Sequence, residues 1–321
     1  MSLKKFAFLI GFAIFVFILS KVNLPKAMEI LSGIKVEFYF LSLALLVVMV
    51  LLKGLKWKLV LNSQQSDIGI LKASKYFCIG FFFSSITPGR IGDFVRALYL
   101  KENNLSTSIS SVLLDRVIDI ILLVAFSAIA SVVFTEVYGG SVISQQIILA
   151  MIFAVCVGLF FLFREKYLKI IFRPLFNLIV PENYKQRIAF GFNGIFLSVK
   201  KIFLRKKEFI FAVLVGAVFW VIAVVFSYFL AVSLGIVISL EAMFLLYPLI
   251  LLADLLPISF SGVGTREAIV ILFFSFISLS AEQAVAFSLL LFLTGYLLVA
   301  LVGYIFFVSE PIDIKNSFAA K

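Results

Sequence analysis

The residues in this sequence best suited to binding or catalysis are charged side chains that lie inside apolar stretches. Asp115, Arg116 and Asp119 lie in the first turns of an apolar run at 112–134, and Asp254 lies near the end of another run. Placing a charged side chain inside the membrane costs about 2.5–3.5 kcal/mol on insertion scales. Each of these residues is therefore a candidate functional residue. Guanidinium groups match phosphate oxygens in a bidentate way. The predicted chemistry is therefore recognition of a charged, phosphate-bearing group.

Two breaks in the apolar pattern carry further charges. Each break combines a proline, paired glycines, an arginine and a carboxylate beside an apolar segment too short to span a bilayer. Interrupted segments in corresponding positions of two halves point to a transporter binding site, and freed N–H groups at a helix start attract anions. The breaks predict two re-entrant elements, related by an internal inverted repeat, whose backbone lines a polar cavity. The first break supplies Pro88, Gly89, Arg90, Gly92, Asp93 and Arg96, and the second supplies Pro257, Gly262, Gly264, Arg266 and Glu267.

The composition identifies the kind of molecule that must position these residues. Of 321 residues, 63% are hydrophobic and 14% are charged, and the mean hydropathy is +1.19. Soluble domains are about 45–50% apolar and roughly 25% charged, so this chain is neither an ordinary soluble enzyme nor disordered. The sequence contains no His, which excludes His-based metal sites and triads, and we expect no metal or other cofactor. Cys78 and Cys156 lie in apolar stretches and are expected to be packed thiols.

The apolar runs predict an all-α membrane protein, a polytopic bundle of about eight helices. We treat residues 1–321 as a single transmembrane domain with a first half at 1–163, a second half at 209–308 and a short tail at 309–321. A short outer loop is expected near 21–37. The predicted spans cover residues 6–20, 38–52, 112–134, 147–163, 209–234, 240–256 and 284–308, and the short re-entrant segments cover 76–86 and 268–279.

Two basic stretches carry the topology signal. Residues 164–208, between the halves, contain 11 Lys and Arg against three acids, which is typical of a cytoplasmic loop. Their apolar residues at helical spacing predict amphipathic helices that lie on the inner leaflet and contact anionic lipids. Lys53, Lys56 and Lys58, around Trp57, indicate a membrane-interface anchor rather than a ligand site. The net charge of +11 therefore predicts a multi-pass cell-membrane protein, with no nucleic-acid partner.

Local ion pairing is the competing interpretation of the buried charges. Asp93 and Arg96 are three residues apart, and so are Arg116 and Asp119, so each pair suits a single helix turn. Asp115 shares a face with Asp119 and could neutralise Arg96 or the arginine of the first break. On this interpretation the charges form a network that only holds the bundle together. So large a network is expensive to bury, which favours a role toward a ligand for the set as a whole.

The breaks resemble the signatures of the flippase-like membrane family. That family includes the transmembrane region of bacterial lysylphosphatidylglycerol synthase/flippase (multiple peptide resistance factor) and archaeal proteins tied to dolichol-phosphate-mannose translocation. The family's Pro-Gly-Arg-x-Gly-acid-x-x-Arg pattern falls on residues 88–96, its acid-Arg-x-x-Asp pattern on 115–119, and its Pro…Gly-x-Gly-x-Arg-Glu pattern on 257–267. One departure is Asp93, where the family more often has Glu. The resemblance covers nearly the whole chain.

The resemblance implies a domain of about eight helices with two re-entrant elements and a central cavity, which moves a polar lipid head group between leaflets. Synthase members carry a soluble aminoacyl-transferase domain after the membrane region. Because this sequence ends about a dozen residues after its last predicted span, that activity is not expected, and we expect the chain not to be an enzyme.

The predicted function is therefore a lipid flippase for a polar, phosphate-bearing head group, aminoacylated or glycosylated. Its partners would be that lipid and a second copy or a partner enzyme. Two alternatives stay open: a membrane enzyme acting on a polyprenyl-phosphate lipid, whose carboxylates bind Mg²⁺ or act as bases, and a non-transporting membrane scaffold. The residues predicted to bind the head group are Arg90, Arg96, Arg116 and Arg266. Those predicted to position them, or to carry a coupling ion or proton, are Asp93, Asp115, Asp119, Asp254 and Glu267.

Overall fold

The computed structural model describes residues 16–18, 20–64, 66–100, 105–138, 153, 205–254 and 264–312. The elements within these residues are helical, which confirms the predicted all-α class. The division into two halves, the homo-oligomer and the partner enzyme stay predictions. Several predicted features lie mostly or wholly outside the described residues: the span at 6–20, the span at 147–163, the basic stretch at 164–208, Cys156, Pro257, Gly262 and the end of the tail.

Four of the described helices are long and apolar enough to cross a membrane, namely α2 (Val36–Ser63), α4 (Leu105–Tyr138), α5 (Lys206–Ser233) and α8 (Ala281–Ser309). At a rise of 1.5 Å per residue, the 28-residue α2 and α5 are each about 42 Å long. The elements in chain order are α1 (Leu24–Ser32), α2 (Val36–Ser63), α3 (Ile70–Ile86), a 3₁₀ segment (Pro88–Tyr99), α4 (Leu105–Tyr138), α5 (Lys206–Ser233), α6 (Leu240–Asp254), α7 (Thr265–Ser275) and α8 (Ala281–Ser309), which is π-helical at Phe292–Leu297.

The outer loop predicted near 21–37 contains a helix, α1, and its position outside the membrane stays a prediction. The Asn23 side chain accepts a hydrogen bond from the backbone N–H of Lys26 at 3.2 Å and caps the helix start. Pro25 occupies the first turn, where its missing N–H costs no hydrogen bond. An N-cap residue followed by proline is a helix-start signal that the hydropathy pattern alone does not use.

Helices α2 and α5 pack against each other and run antiparallel. At one end the backbone N–H of Lys35 donates to the carbonyl oxygen of Ser233 at 2.7 Å. At the other end a guanidinium nitrogen of Arg205 lies 3.4 Å from the carbonyl oxygen of Asn62. The end of α2 therefore lies beside the start of α5. Phe226 and Leu230 of α5 lie in the main hydrophobic core.

Helix α3 and the 3₁₀ segment form a hairpin whose two free ends lie beside the end of α8. Near the start of α3, the Lys75 ammonium lies 2.7 Å from Glu310 Oε2. At the end of the 3₁₀ segment, the Tyr99 hydroxyl donates to the backbone carbonyl oxygen of Glu310 at 3.0 Å. The tip of the hairpin, around Thr87, therefore points away from this end of the bundle. That this tip turns within the bilayer stays a prediction.

The described helices occur in a similar order of lengths in the two parts of the chain, while the inverted repeat itself stays a prediction. Helices α2 and α5 have 28 residues each, and the helices that follow them, α3 and α6, have 17 and 15 residues. Both α3 and α6 lead into a Pro/Gly-containing break. Helix α3 packs on α8, and α6 packs on α4. Each short helix thus lies against a long helix from the other part of the chain.

Candidate functional site

Seven charged side chains from α2, the 3₁₀ segment and α4 meet inside the bundle and alternate in sign. We call this set the charge chain. Its four cations and three carboxylates leave an excess of one positive charge. The chain of contacts runs in the order Lys53, Asp119, Lys56, Asp115, Arg96, Asp93 and Arg116.

The lysines of α2 occupy one part of the charge chain. The Lys56 ammonium lies 2.9 Å from Asp115 Oδ1 and 2.5 Å from Asp119 Oδ1, and the Lys53 ammonium lies 2.7 Å from Asp119 Oδ2. Lys56 is fully buried. The prediction that Lys53 and Lys56 anchor the chain at the membrane interface is therefore wrong. Lys53 and Lys56, three residues apart on α2, face two acids that are four residues apart on α4. Both spacings place side chains on one face of a helix, and this match is not used in the sequence-based prediction.

Lys58 differs from its two neighbours on α2. Its ammonium lies 3.0 Å from Asp67 Oδ1 in the connection between α2 and α3, and the Asp67 side chain is 79% exposed. The hydrogen bond and the charge of Lys58 hold the pKa of Asp67 below its usual value. Lys58 is thus paired at the surface, where the anchor interpretation stays a prediction.

The arginines occupy the other part of the charge chain. Arg96 Nη2 lies 2.9 Å from Asp93 Oδ2, which confirms the predicted pair, and 2.7 Å from Asp115 Oδ2. Arg116 Nε lies 2.7 Å from Asp93 Oδ2. The predicted local pair of Arg116 with Asp119 is wrong, because Asp119 turns to the lysines of α2. Arg116 is the last member of the charge chain, and 27% of its side chain is exposed. Arg96, in contrast, is fully buried.

Aromatic rings cover two cations of the charge chain. The Arg96 guanidinium lies 4.7 Å from the ring centroid of Trp57. The Lys53 ammonium lies 3.9 Å from the ring centroid of Phe219 and 5.8 Å from that of Trp220, both on α5. Desolvated cation–π contacts are worth about 2 kcal/mol. The contact of Lys53 therefore also fastens α5 to the charge chain.

The hairpin tip at the first break is held by a threonine. The Thr87 hydroxyl donates a hydrogen bond to the carbonyl oxygen of Phe83 at 2.7 Å. It accepts a hydrogen bond from the backbone N–H of Gly92 at 2.8 Å. A Cβ at Gly92 would overlap the carbonyl group of Phe83, so only glycine fits this approach. Arg90 has φ +56°, in the left-handed region, where a non-glycine residue costs about 1–3 kcal/mol. Pro88 and Gly89 begin the 3₁₀ segment.

The second break leads into α7, where an arginine and a glutamate are linked by a serine. Gly264, with φ +84°, donates its backbone N–H to Glu267 Oε2 at 2.6 Å. The Ser288 hydroxyl donates to Glu267 Oε1 at 2.8 Å and accepts from Arg266 Nε at 3.2 Å. Arg266, Glu267 and Ser288 are buried. The sequence pattern predicts Arg266 and Glu267 as site residues, whereas Ser288 on α8 carries no signal in the sequence.

One arginine from each break lies near the same aromatic ring. The guanidinium carbon of Arg90 lies 5.9 Å from the ring centroid of Tyr296, and that of Arg266 lies 5.1 Å from the same centroid. The Arg266 guanidinium also lies 5.2 Å from the Phe292 ring. Tyr296 and Phe292 both belong to the π-helical turn of α8, and such turns occur frequently at functional sites. The predicted meeting of charges from both breaks thus depends on a residue that the sequence pattern does not single out.

Three further predicted residues complete the set. Asp254 is the last residue of α6, and the proline and first glycine of the second break lie outside the described residues. Over the parts of the chain that the structure describes, no group of three or more metal-ligating side chains could hold a metal ion.

A bundle of several membrane-length helices with paired charges in its interior defines a multi-pass membrane protein with a polar core. The chain belongs to the family described as lysylphosphatidylglycerol synthase TM region, whose model matches residues 5–303. It is similar to a UPF0104 membrane protein of Methanocaldococcus jannaschii, at 24% identity over 323 residues and 96% of each chain. It is also similar to a UPF0104 membrane protein of Pyrococcus horikoshii, at 22% identity over 89% of this chain and 90% of that one. No solved structure matches the chain.

The family match confirms the resemblance and corrects one expectation. The family description names a synthase, so the prediction that the chain is not an enzyme is contradicted. That prediction depended on where the sequence ends, which says nothing about the chemistry of the membrane region. The location in the cell membrane and the cytoplasmic side of the basic stretch stay predictions.

Proposed function

We propose that this chain moves the polar, phosphate-bearing head group of a membrane lipid between the two leaflets of the cell membrane. The observation that carries the proposal is the charge chain, which places seven ionisable groups between membrane-length helices. Removing such groups from water costs several kcal/mol per ion. Intramembrane ionisable residues usually mark a substrate or ion pathway. The one excess positive charge of the charge chain would be balanced by the single negative charge of a phosphodiester in the lipid head group.

The accessible end of the charge chain suits a phosphate. Asp93 engages Arg116 through Nε, which leaves the terminal nitrogens of this partly exposed guanidinium for bidentate contact with phosphate oxygens. Arg96, in contrast, is fully buried and held by two carboxylates. In this proposal Arg116 receives the head group, Arg96 holds the hairpin, and the lipid tails stay in the bilayer.

The family description favours an aminoacylated phospholipid among the lipids that fit. Lysylphosphatidylglycerol carries a phosphodiester and a lysyl group with two ammonium groups. Asp115 and Asp119 already bind ammonium groups of this chain, so the same carboxylates would accept a substrate ammonium in exchange. A head group with both signs of charge would then match a site with both signs of charge.

A second candidate is the membrane part of a lipid-modifying enzyme, which the synthase in the family description favours. In that case the chain would present a lipid head group to a reacting partner or domain. An Mg²⁺ ion at the carboxylates would have to displace the lysines and arginines that occupy them. Sensitivity to chelators is therefore the property that separates the two candidates.

The proposal is tested by a leaflet-accessibility assay in proteoliposomes with fluorescent lipids that are bleached from outside. The panel contains phosphatidylglycerol, lysylphosphatidylglycerol, a polyprenyl-phosphate sugar and a phosphate-free glycosyl diacylglycerol. We expect wild-type protein to scramble at least one phosphate-bearing lipid, Arg116→Gln to lose this activity, and Arg205→Gln, a change at an exposed arginine, to retain it. Folded wild-type protein that scrambles none of these lipids would overturn the proposal. Chelator-sensitive turnover of a lipid without scrambling would establish the enzyme.

A further inference from the structure

We infer that Arg90, at the meeting point of the two breaks, binds the lipid phosphate halfway across the membrane, with Tyr296 as its positioning residue. This inference rests on the proposed function and assigns its midpoint site. Among the four arginines predicted for the site, Arg96, Arg116 and Arg266 each lie within 3.6 Å of a carboxylate. Each of these three guanidinium groups therefore already contacts a carboxylate of the protein.

Arg90 is different, because none of the described residues supplies its guanidinium with a carboxylate. The residue is partly buried, and its guanidinium contacts the Tyr296 ring at 5.9 Å. A cation in this position is expensive inside a bilayer, and one aromatic face compensates only part of that cost. An anionic ligand supplies the missing partner.

The backbone around Arg90 fixes the direction of its side chain. The residue takes φ +56°, and its N–H bonds to the carbonyl oxygen of Thr87 at 3.3 Å. The Thr87 hydroxyl joins both sides of the turn, through Phe83 and Gly92. Strained residues held by their surroundings cluster at functional sites. The strain here is maintained by a turn that carries Arg90 toward α8.

The position of Tyr296 along α8 places this site near the centre of a span. The residue is about 20 Å from either end of α8, which runs Ala281–Ser309. Substrate sites of transporters built from repeats lie near the bilayer midplane, at interrupted helices. Because Arg266 contacts the same ring at 5.1 Å, a phosphate on Arg90 lies beside a second guanidinium. The two breaks thus contribute to one anion site.

The test measures binding rather than transport. Titration calorimetry on the detergent-solubilised full chain would use dihexanoyl phosphatidylglycerol, with a dihexanoyl glucosylglycerol that lacks phosphate as the matched ligand. We expect Arg90→Gln to weaken binding of the phospholipid about 10- to 100-fold, as for loss of a charged hydrogen bond. Tyr296→Leu should weaken it in the same direction, and Tyr296→Phe, which keeps the aromatic face, should not. Binding of the phosphate-free ligand should be the same in all variants.

Each other outcome identifies what fails. Phospholipid binding that survives Arg90→Gln but is lost in Arg116→Gln would overturn the inference and place the phosphate at the charge chain. Inorganic phosphate that binds as tightly as the phospholipid would overturn the assignment to a lipid. Arg205→Gln controls for removal of a positive charge, and Arg90→Lys, with intermediate affinity expected, tests the site if Arg90→Gln does not fold. If folded Arg90→Gln scrambles lipid as the wild type does, only this inference is overturned. If binding depends on Arg90 but the wild type does not scramble lipid, only the proposed function is overturned.

Discussion

The Lys56 ammonium is joined to Asp115 twice, at 2.9 Å from the carboxylate Oδ1 and 2.9 Å from the backbone carbonyl oxygen. Both side chains are 1% exposed. The ammonium therefore ties the backbone of α4, and not only a side chain, to α2. A lysine that resembles an interface anchor in the sequence is a cross-link in the interior of the bundle.

Replacing this cross-link should destabilise the protein strongly. Lys56→Met leaves Asp115 and Asp119 buried with one cation fewer, and breaking a buried pair from one side costs about 3–5 kcal/mol. The measurement is chemical unfolding in detergent, followed by tryptophan fluorescence. Lys58→Met, which removes a surface pair on the same helix, should leave the unfolding midpoint in place. The double variant Lys56→Met/Asp119→Asn should lose less than the sum of the single variants. Equal midpoints for the two lysine variants would contradict the buried cross-link.

Glycine at position 92 should be obligatory. Gly92→Ala places a Cβ against the Phe83 carbonyl and 2.7 Å from the backbone nitrogen of Ser84, and overpacking of this kind costs about 1–3 kcal/mol or more. The expected result is a lower melting temperature and weaker phospholipid binding. The control is Gly69→Ala, where a Cβ meets nothing within 4 Å. A Gly92→Ala protein as stable as Gly69→Ala would show that the hairpin tip is not packed this closely.

The hydroxyl of Thr87 should be needed for the shape of the tip. Thr87→Val keeps the volume but loses the bonds with Phe83 and Gly92, at about 1–3 kcal/mol for a buried donor left unsatisfied. Because the tip carries Arg90, phospholipid affinity should fall together with stability. Thr135→Val, which removes a hydroxyl bonded only within its own helix turn, should change neither property. Identical calorimetric affinities in the two variants would contradict the positioning role of Thr87.

The helix directions predict which connections share a side of the membrane. Leu71 lies at the start of α3 and Val237 in the connection after α5, and they are 78% and 91% exposed. Because α2 and α5 are antiparallel, Leu71 and Ser309 should lie on one side and Val237 on the other. Single cysteines at these positions, in a Cys78→Ser/Cys156→Ser background, should react accordingly with a membrane-impermeant maleimide applied to right-side-out and inverted vesicles. Labelling of Leu71→Cys and Val237→Cys from the same side would contradict the antiparallel arrangement.

The sequence predicts the positions of the helices better than their ends. The run at 38–52 lies within α2, but the helix continues to Ser63 because α4 supplies carboxylates for the lysines that end the apolar run. Local spacing predicts the pair of Asp93 with Arg96 correctly, since the two residues share one helical segment. It fails for Arg116, whose partner comes from another element.

The parts of the site that the sequence does not predict are those created by tertiary contact. Tyr296 and Ser288 lie in an apolar run where an aromatic ring or a small polar residue is ordinarily part of the core. Nothing in their spacing marks the π-helical turn or the approach of α7. The charged residues could be found from the sequence because charge is rare in a membrane span, whereas their aromatic and hydroxyl partners could not.

The alternation of the charge chain has a consequence for how charge can be redistributed inside the protein. Each of the three carboxylates lies between two cations and can pair with either of them. The surplus positive charge therefore does not belong to one particular side chain. Shifting each pairing by one neighbour transfers the surplus from Arg116, at the hairpin, to Lys53, beside α5. The same seven side chains thus allow the surplus to be placed beside the hairpin or beside α5.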